Sequence, residues 1–152
     1  EMQADVEVTA VAGVTAASAA AAVLGAPLMH DFAVISLSDC MTPLEQIYQR
    51  VALAAEADFV ICLYNPKSRS RTASLAEAAK LIQQHRKPET PVGIVRNAGR
   101  EGEQAWITTL EKLPEEPVDM FCVVLVGNSQ TYVQNGKMIT PRGYCVRREE
   151  SR

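Results

Sequence analysis

Apolar positions come in short runs separated by polar turns, and their spacing shifts between the two-residue period of a strand and the 3.6-residue period of a helix. Residues 6–11, VEVTAV, predict a short strand. Gly13 follows, and TAASAAAAVLG then reads as a helix with Thr15 as its N-cap and Gly25 at its end. So many alanines let that helix approach its neighbours closely. Residues 32–37 predict the next strand. Pro43 fits the first turn of a helix running to about residue 57, with Leu44, Ile47, Val51 and residues 53–55 spaced for burial. A third strand is expected over residues 59–64, and a helix over 72–85 with Leu75, Ala78, Ala79 and Ile82 on one face. Residues 91–95 predict a fourth strand.

Two strand–helix–strand units in succession favour parallel neighbours in one sheet. After Arg96 the pattern changes. Residues 106–110 and 121–126 read as strands, and residues 131–133 and 137–140 flank Asn135-Gly136, a strong two-residue hairpin signal. The expected fold is therefore α/β, a three-layer-like mixed sheet flanked by helices, with an antiparallel or mixed C-terminal third. No repeat or linker divides the chain, so residues 1–152 are expected to form a single domain.

Composition narrows the function. With 47% apolar and 22% charged residues, the composition is globular, and no apolar run approaches the roughly 20 residues of a membrane span. A net charge of −3 argues against a general nucleic-acid binder, so any anionic ligand must be met by local cations. The four cysteines, Cys40, Cys62, Cys122 and Cys145, stand singly, with no His at zinc-ligand spacing. Cys62 and Cys122 lie inside apolar runs and read as buried thiols, which points to a reducing, cytoplasmic setting. The chain begins at Glu1 with no signal peptide, and reads as a fragment.

Candidate chemistry lies at the strand ends, because in an open α/β sheet loops and helix N-termini converge outside the carboxyl ends of the strands. Here those ends read AGVTA, SLSD, LYNP, RNAGR and GNSQT. Singly they are weak. Gly13 and the free amides near Thr15 fit a polar group, but also a plain capped turn. Pro66 biases Asn65 toward extended geometry. Lys67, Arg69 and Arg71 suit anions, yet alone read as a solvated basic loop. Arg96, Asn97 and Arg100 offer donors around the permissive Gly99, or an ordinary surface turn. His30 and Asp31 are adjacent and do not face each other on a regular element. Nucleotide-binding glycine loops, the hydrolase GxSxG turn and metal constellations are absent from the sequence, so metal is not expected.

In order, AGVTAASAAAAVLGAPLMHDFAVISLSD, DFVICLYNPKSRSRT, TPVGIVRNAGREGE, VDMF, GNSQT and MITPRGY resemble the precorrin-3B C(17)-methyltransferases of cobalamin biosynthesis, in the tetrapyrrole methylase family. The combination of ISLSD, LYNP, RNAGR and TPRGY is far more specific than any one motif. The match covers nearly the whole chain but only about the second half of such an enzyme; the N-terminal domain, with its GPG loop and GDP-type motif, is missing.

The resemblance implies the C-terminal domain of the tetrapyrrole methylase fold, with S-adenosylmethionine between two domains. Its methyl would go to ring carbon 17 of precorrin-3B or cobalt-precorrin-3, with ring contraction. It implies cofactor contacts at Thr15, Ala16, Tyr64, Asn65, Asn97, Ala98, Thr140 and Pro141, mostly through backbone groups. For the carboxylates of the macrocycle the candidates are Arg69, Arg71, Arg100 and Arg142, and His30 and Asp39 are candidate catalytic proton handlers. Methyl transfer from a sulfonium is an in-line displacement, for which positioning alone can supply roughly 7 to 11 kcal/mol, so a strong base is not obligatory. A homodimer is expected for the full-length enzyme, and low or no activity for this part alone. Two positions depart from the family: Ala12 stands where Pro is usual, and Leu44 where Trp is usual. Two other readings stay open: a non-catalytic α/β small-anion-binding or assembly module, and a precorrin methylase acting at another ring carbon.

Overall fold

In the computed structural model, which describes residues 6–67 and 73–143, helices are interspersed among strands over the first part of the chain and strands dominate the rest. The order is α1 (Ala16–Leu24), β1 (Gly25–Ala26), β2 (Phe32–Ser36), α2 (Leu44–Glu56), β3 (Val60–Tyr64), α3 (Ser74–Gln83), β4 (Pro91–Arg96) and β5 (Gln104–Thr109). A 3-10 turn at Leu113–Glu115 leads to β6 (Cys122–Val126), β7 (Tyr132–Gln134) and β8 (Lys137–Ile139). The main sheet has the order β2-β3-β6-β4-β5.

β2 and β3 are parallel neighbours, as their helical crossover allows. β3 and β4 also point the same way but do not touch, because β6 lies between them, antiparallel to both. The expectation of parallel neighbours thus fails for this pair. β6, buried at every residue, takes the centre of the sheet, where an apolar strand loses most contact with water. β5 closes the far edge, antiparallel to β4.

Alternation divides the central strands between two cores. Ile61, Leu63, Val92, Ile94, Val124 and Val126 pack on the α2 and α3 side, with Ile47, Val51, Leu75 and Ile82. Cys62, Val95, Val123 and Leu125 point to the opposite side, against Ala17, Ala20 and Leu24 of α1. Helices therefore cover both faces, which makes the three layers. Gly93 lets α1 come close: a Cβ there would lie 2.4 Å from Leu24 Cδ1.

The hairpin forms as expected. Asn135 and Gly136 both take positive φ, 51° and 71°, and Gln134 pairs with Lys137. β8 also pairs, in parallel, with the two-residue β1, which is too short to carry a period.

Residues 6–11 are a correction. They are not in a strand, and Val6, Val8, Val11 and Val14 are 73% to 91% exposed. Alternating side chains do not make a strand without a neighbouring backbone to satisfy its N–H and C=O groups, and none of the described strands pairs here.

Candidate functional site

β2, β3 and β4 all end on one side of the sheet, where α1 begins and, because it runs the other way, β6 also begins. A hollow of about 210 Å³ opens there. Ala16, Tyr64, Asn65, Asn97 and Ala98 line it together with Arg100, so five of the eight cofactor candidates and one substrate candidate converge. Thr15 stands next to them as the α1 cap, its Oγ1 accepting from the Ser18 amide at 3.3 Å.

The expected free amides at this helix start are partly used. Ser18 is held by Thr15, and the Ala17 N–H donates to the Tyr64 hydroxyl at 2.7 Å. That leaves small Ala16 as the part of the turn facing the hollow.

The two asparagines share an unusual backbone. Asn65 has φ 50° and Asn97 φ 53°, the left-handed region that Asn tolerates better than most side chains. The extended geometry expected for Asn65 before Pro66 is overturned. Its Nδ2 donates to Ser36 Oγ at 3.0 Å, which ties the end of β3 to the end of β2. The Asn97 N–H donates to the Phe121 carbonyl at 3.1 Å, and Arg96 meets Asp119 at 2.9 Å, so the β4 turn is fixed to the start of β6.

Met120, Phe121 and Cys122 form that start and line the hollow. Met120 and Phe121 are 60% and 54% exposed. VDMF is among the segments that resemble the family, but neither residue was named as a site candidate, because only the antiparallel direction of β6 brings its beginning to this end. Cys122 supplies no nucleophile here: burial pushes its thiol up, leaving it protonated at neutral pH. The buried Cys62 is pushed by desolvation up to about 12.

The same antiparallel run sends the fifth strand end, GNSQT, to the other side of the sheet, where the Gly127 N–H donates to the Pro91 carbonyl. Thr140 goes with it. Its Oγ1 shares a 2.7 Å hydrogen bond with Thr131 Oγ1, and its N–H donates to the Ala26 carbonyl. Thr140 and Pro141 are therefore not brought into the hollow with Tyr64 and Asn97.

His30 and Asp39 lie beyond opposite ends of β2 and cannot act on one atom together. His30 belongs to another hollow with Arg142, at the end of the sheet away from Tyr64. His30 and Asp31 lie on an irregular segment before β2 and not on a regular element, and there His30 Nδ1 comes 3.6 Å from Asp31 Oδ2. Arg69 and Arg71 lie outside the described residues.

This architecture has relatives. The model of the tetrapyrrole (corrin/porphyrin) methylases matches residues 1–114. The chain belongs to this family. The probable cobalt-factor III C(17)-methyltransferase of Salmonella typhimurium is 56% identical over 142 residues, which are 93% of this chain and 59% of that protein. The precorrin-3B C(17)-methyltransferase of a Sinorhizobium species is 42% identical, over 92% of this chain and 57% of that protein. Among solved structures, that of the methyltransferase CobJ superposes with a TM-score of 0.79 at 36% identity, over 85% of this chain and 54% of the other. The chain thus spans somewhat more than half the length of these relatives. No helix among its described residues is long and apolar enough to cross a membrane.

Proposed function

We propose that this chain is the C-terminal domain of an S-adenosylmethionine-dependent methyltransferase. It would methylate ring carbon 17 of precorrin-3B or its cobalt form in cobalamin biosynthesis, with ring contraction. The observation that carries the reading is the convergence of Ala16, Tyr64, Asn65, Asn97 and Ala98 on one hollow. The names of the relatives at 56% and 42% identity supply the substrate class.

The residues present fit such a cofactor. Ala16 and Ala98 leave backbone groups accessible, the asparagine amides both donate and accept, and Met120 with Phe121 adds apolar surface for a flat ring. When bound, the cofactor supplies an electrophilic methyl group. The chain's own residues hold and orient: Tyr64 ties β3 to α1, and Asn97 ties β4 to β6. Arg100 offers a cation to a carboxylate, and of the two proton-handling candidates Asp39 follows β2 on the side of the sheet where the hollow opens, whereas His30 precedes β2. The full-length enzyme is proposed to be a cytoplasmic homodimer in which a second domain completes the cleft.

The test uses the full-length protein and this chain in parallel. Calorimetry with S-adenosylhomocysteine should give heat for the full-length protein. NMR of the product from precorrin-3B, with and without cobalt, should place the new methyl at carbon 17. Absence of binding would favour a non-catalytic module, a methyl at another carbon would reassign the enzyme, and vigorous turnover by this chain alone would contradict a cleft shared between domains.

A further inference from the structure

A second hollow, of about 410 Å³, opens where β2 ends, between the loop that follows it and α2. Ser36, Ser38, Thr42, Arg50 and Asn65 line it, and no acidic side chain does. Asn65 lines the first hollow as well, so the two adjoin across one side chain, held by Ser36 at 3.0 Å.

Each hollow holds one guanidinium, Arg100 in the first and Arg50 in the second. Elsewhere arginines are matched: Arg86 to Asp58 at 3.0 Å, and Arg96 to Asp119 at 2.9 Å. Among the described residues no carboxylate meets Arg50 or Arg100. A lone arginine on a helix is ordinary. One that lines a concave space with three hydroxyls, and no competing acid, is arranged for an external carboxylate, which a guanidinium can grip with two parallel hydrogen bonds.

We infer that the second hollow seats a carboxylate-bearing edge of the tetrapyrrole, with Arg50 reading that carboxylate and Asn65 dividing the ring's seat from the methyl donor's. This rests on the reading of the first hollow as the cofactor site. The hydroxyls of Ser36, Ser38 and Thr42 complete the set of donors around the acid. Arg50 is then a specificity residue of a different class from the backbone-rich contacts of the first hollow.

The experiment compares full-length wild type, Arg50→Ala and Arg50→Lys, with unfolding midpoints measured alongside. Arg50→Ala should raise KM for the tetrapyrrole about tenfold, as loss of one charge-assisted contact does. Its affinity for S-adenosylhomocysteine should stay within about twofold. Arg50→Lys should recover part of the loss, keeping the charge without the fork. With a tetrapyrrole whose carboxylates are amidated, Arg50→Ala should no longer differ from wild type in tetrapyrrole affinity. An unchanged KM, or an equal loss of cofactor and tetrapyrrole affinity, would overturn the subsite while leaving the methylase reading intact. Wild type that binds S-adenosylhomocysteine yet methylates no tetrapyrrole would overturn that reading, and the subsite with it.

Discussion

The Tyr64 hydroxyl accepts the Ala17 amide proton at 2.7 Å, so the end of β3 caps the first turn of α1 from 47 residues away. The bond secures two walls of the first hollow, proposed above as the cofactor site, to each other and satisfies a helix-start amide that would otherwise lack a partner. Tyr64→Phe keeps the ring and removes the acceptor. It should lower stability by about 1 kcal/mol in urea unfolding, and weaken S-adenosylhomocysteine binding by the full-length enzyme several-fold in calorimetry.

The left-handed backbone at Asn97 gives a second expectation. A Cβ in that region is unfavourable by about 1 to 2 kcal/mol unless the residue is Gly or Asn. Asn97→Ala should therefore destabilise by about 1 kcal/mol, whereas Asn97→Gly should stay close to wild type. Equal midpoints for the two variants in denaturant unfolding would contradict the role of backbone geometry.

Gly93 and Leu24 should behave as a coupled pair. An added Cβ would sit 2.4 Å from Leu24 Cδ1, and Leu24 is buried beneath α1. Gly93→Ala should destabilise by about 1 to 3 kcal/mol through overpacking. In the background of Leu24→Ala the same change should have much less effect, and a double-mutant cycle reads the difference.

The cysteines differ in reactivity and in pH response. Cys40 is exposed and Cys62 buried, so alkylation of the native protein at mild alkaline pH should modify Cys40 and spare Cys62 until unfolding, as peptide mass spectrometry would show. Burial raises the Cys62 thiol from 9.0 to about 12 in the fold. The unfolded chain therefore releases this proton first. This contribution to stability is complete below pH 9 and declines up to about pH 12, by about 1.4 kcal/mol per pH unit at most. Cys62→Ala should flatten that part of an unfolding-versus-pH curve.

Much of the layered fold was legible in local pattern. The 3.6-residue spacing of Ile47, Val51, Leu75 and Ile82 identified the two helices on one face, and VICLY and CVVLV read as strands because buried strands need apolar residues on both sides. Asn135-Gly136 specified its own turn. VEVTAV had the same local pattern but not the same outcome, since pairing is a property of two segments and not of one.

At the site, the carboxyl ends of strands that share one side of a sheet marked the segments AGVTA, LYNP and RNAGR, and only the family resemblance of those motifs together pointed to Ala16, Tyr64, Asn65, Asn97 and Ala98 within them. The direction of β6 was not written in its residues. An apolar strand buried on both faces looks alike read either way, and only its pairing with β3 and β4 set it antiparallel. That single choice brought Met120 and Phe121 into the hollow and carried GNSQT and Thr140 out of it. The sequence alone determined which segments could form the walls; the tertiary structure decided which of their ends meet, because strand direction is settled by contacts between residues far apart in the chain.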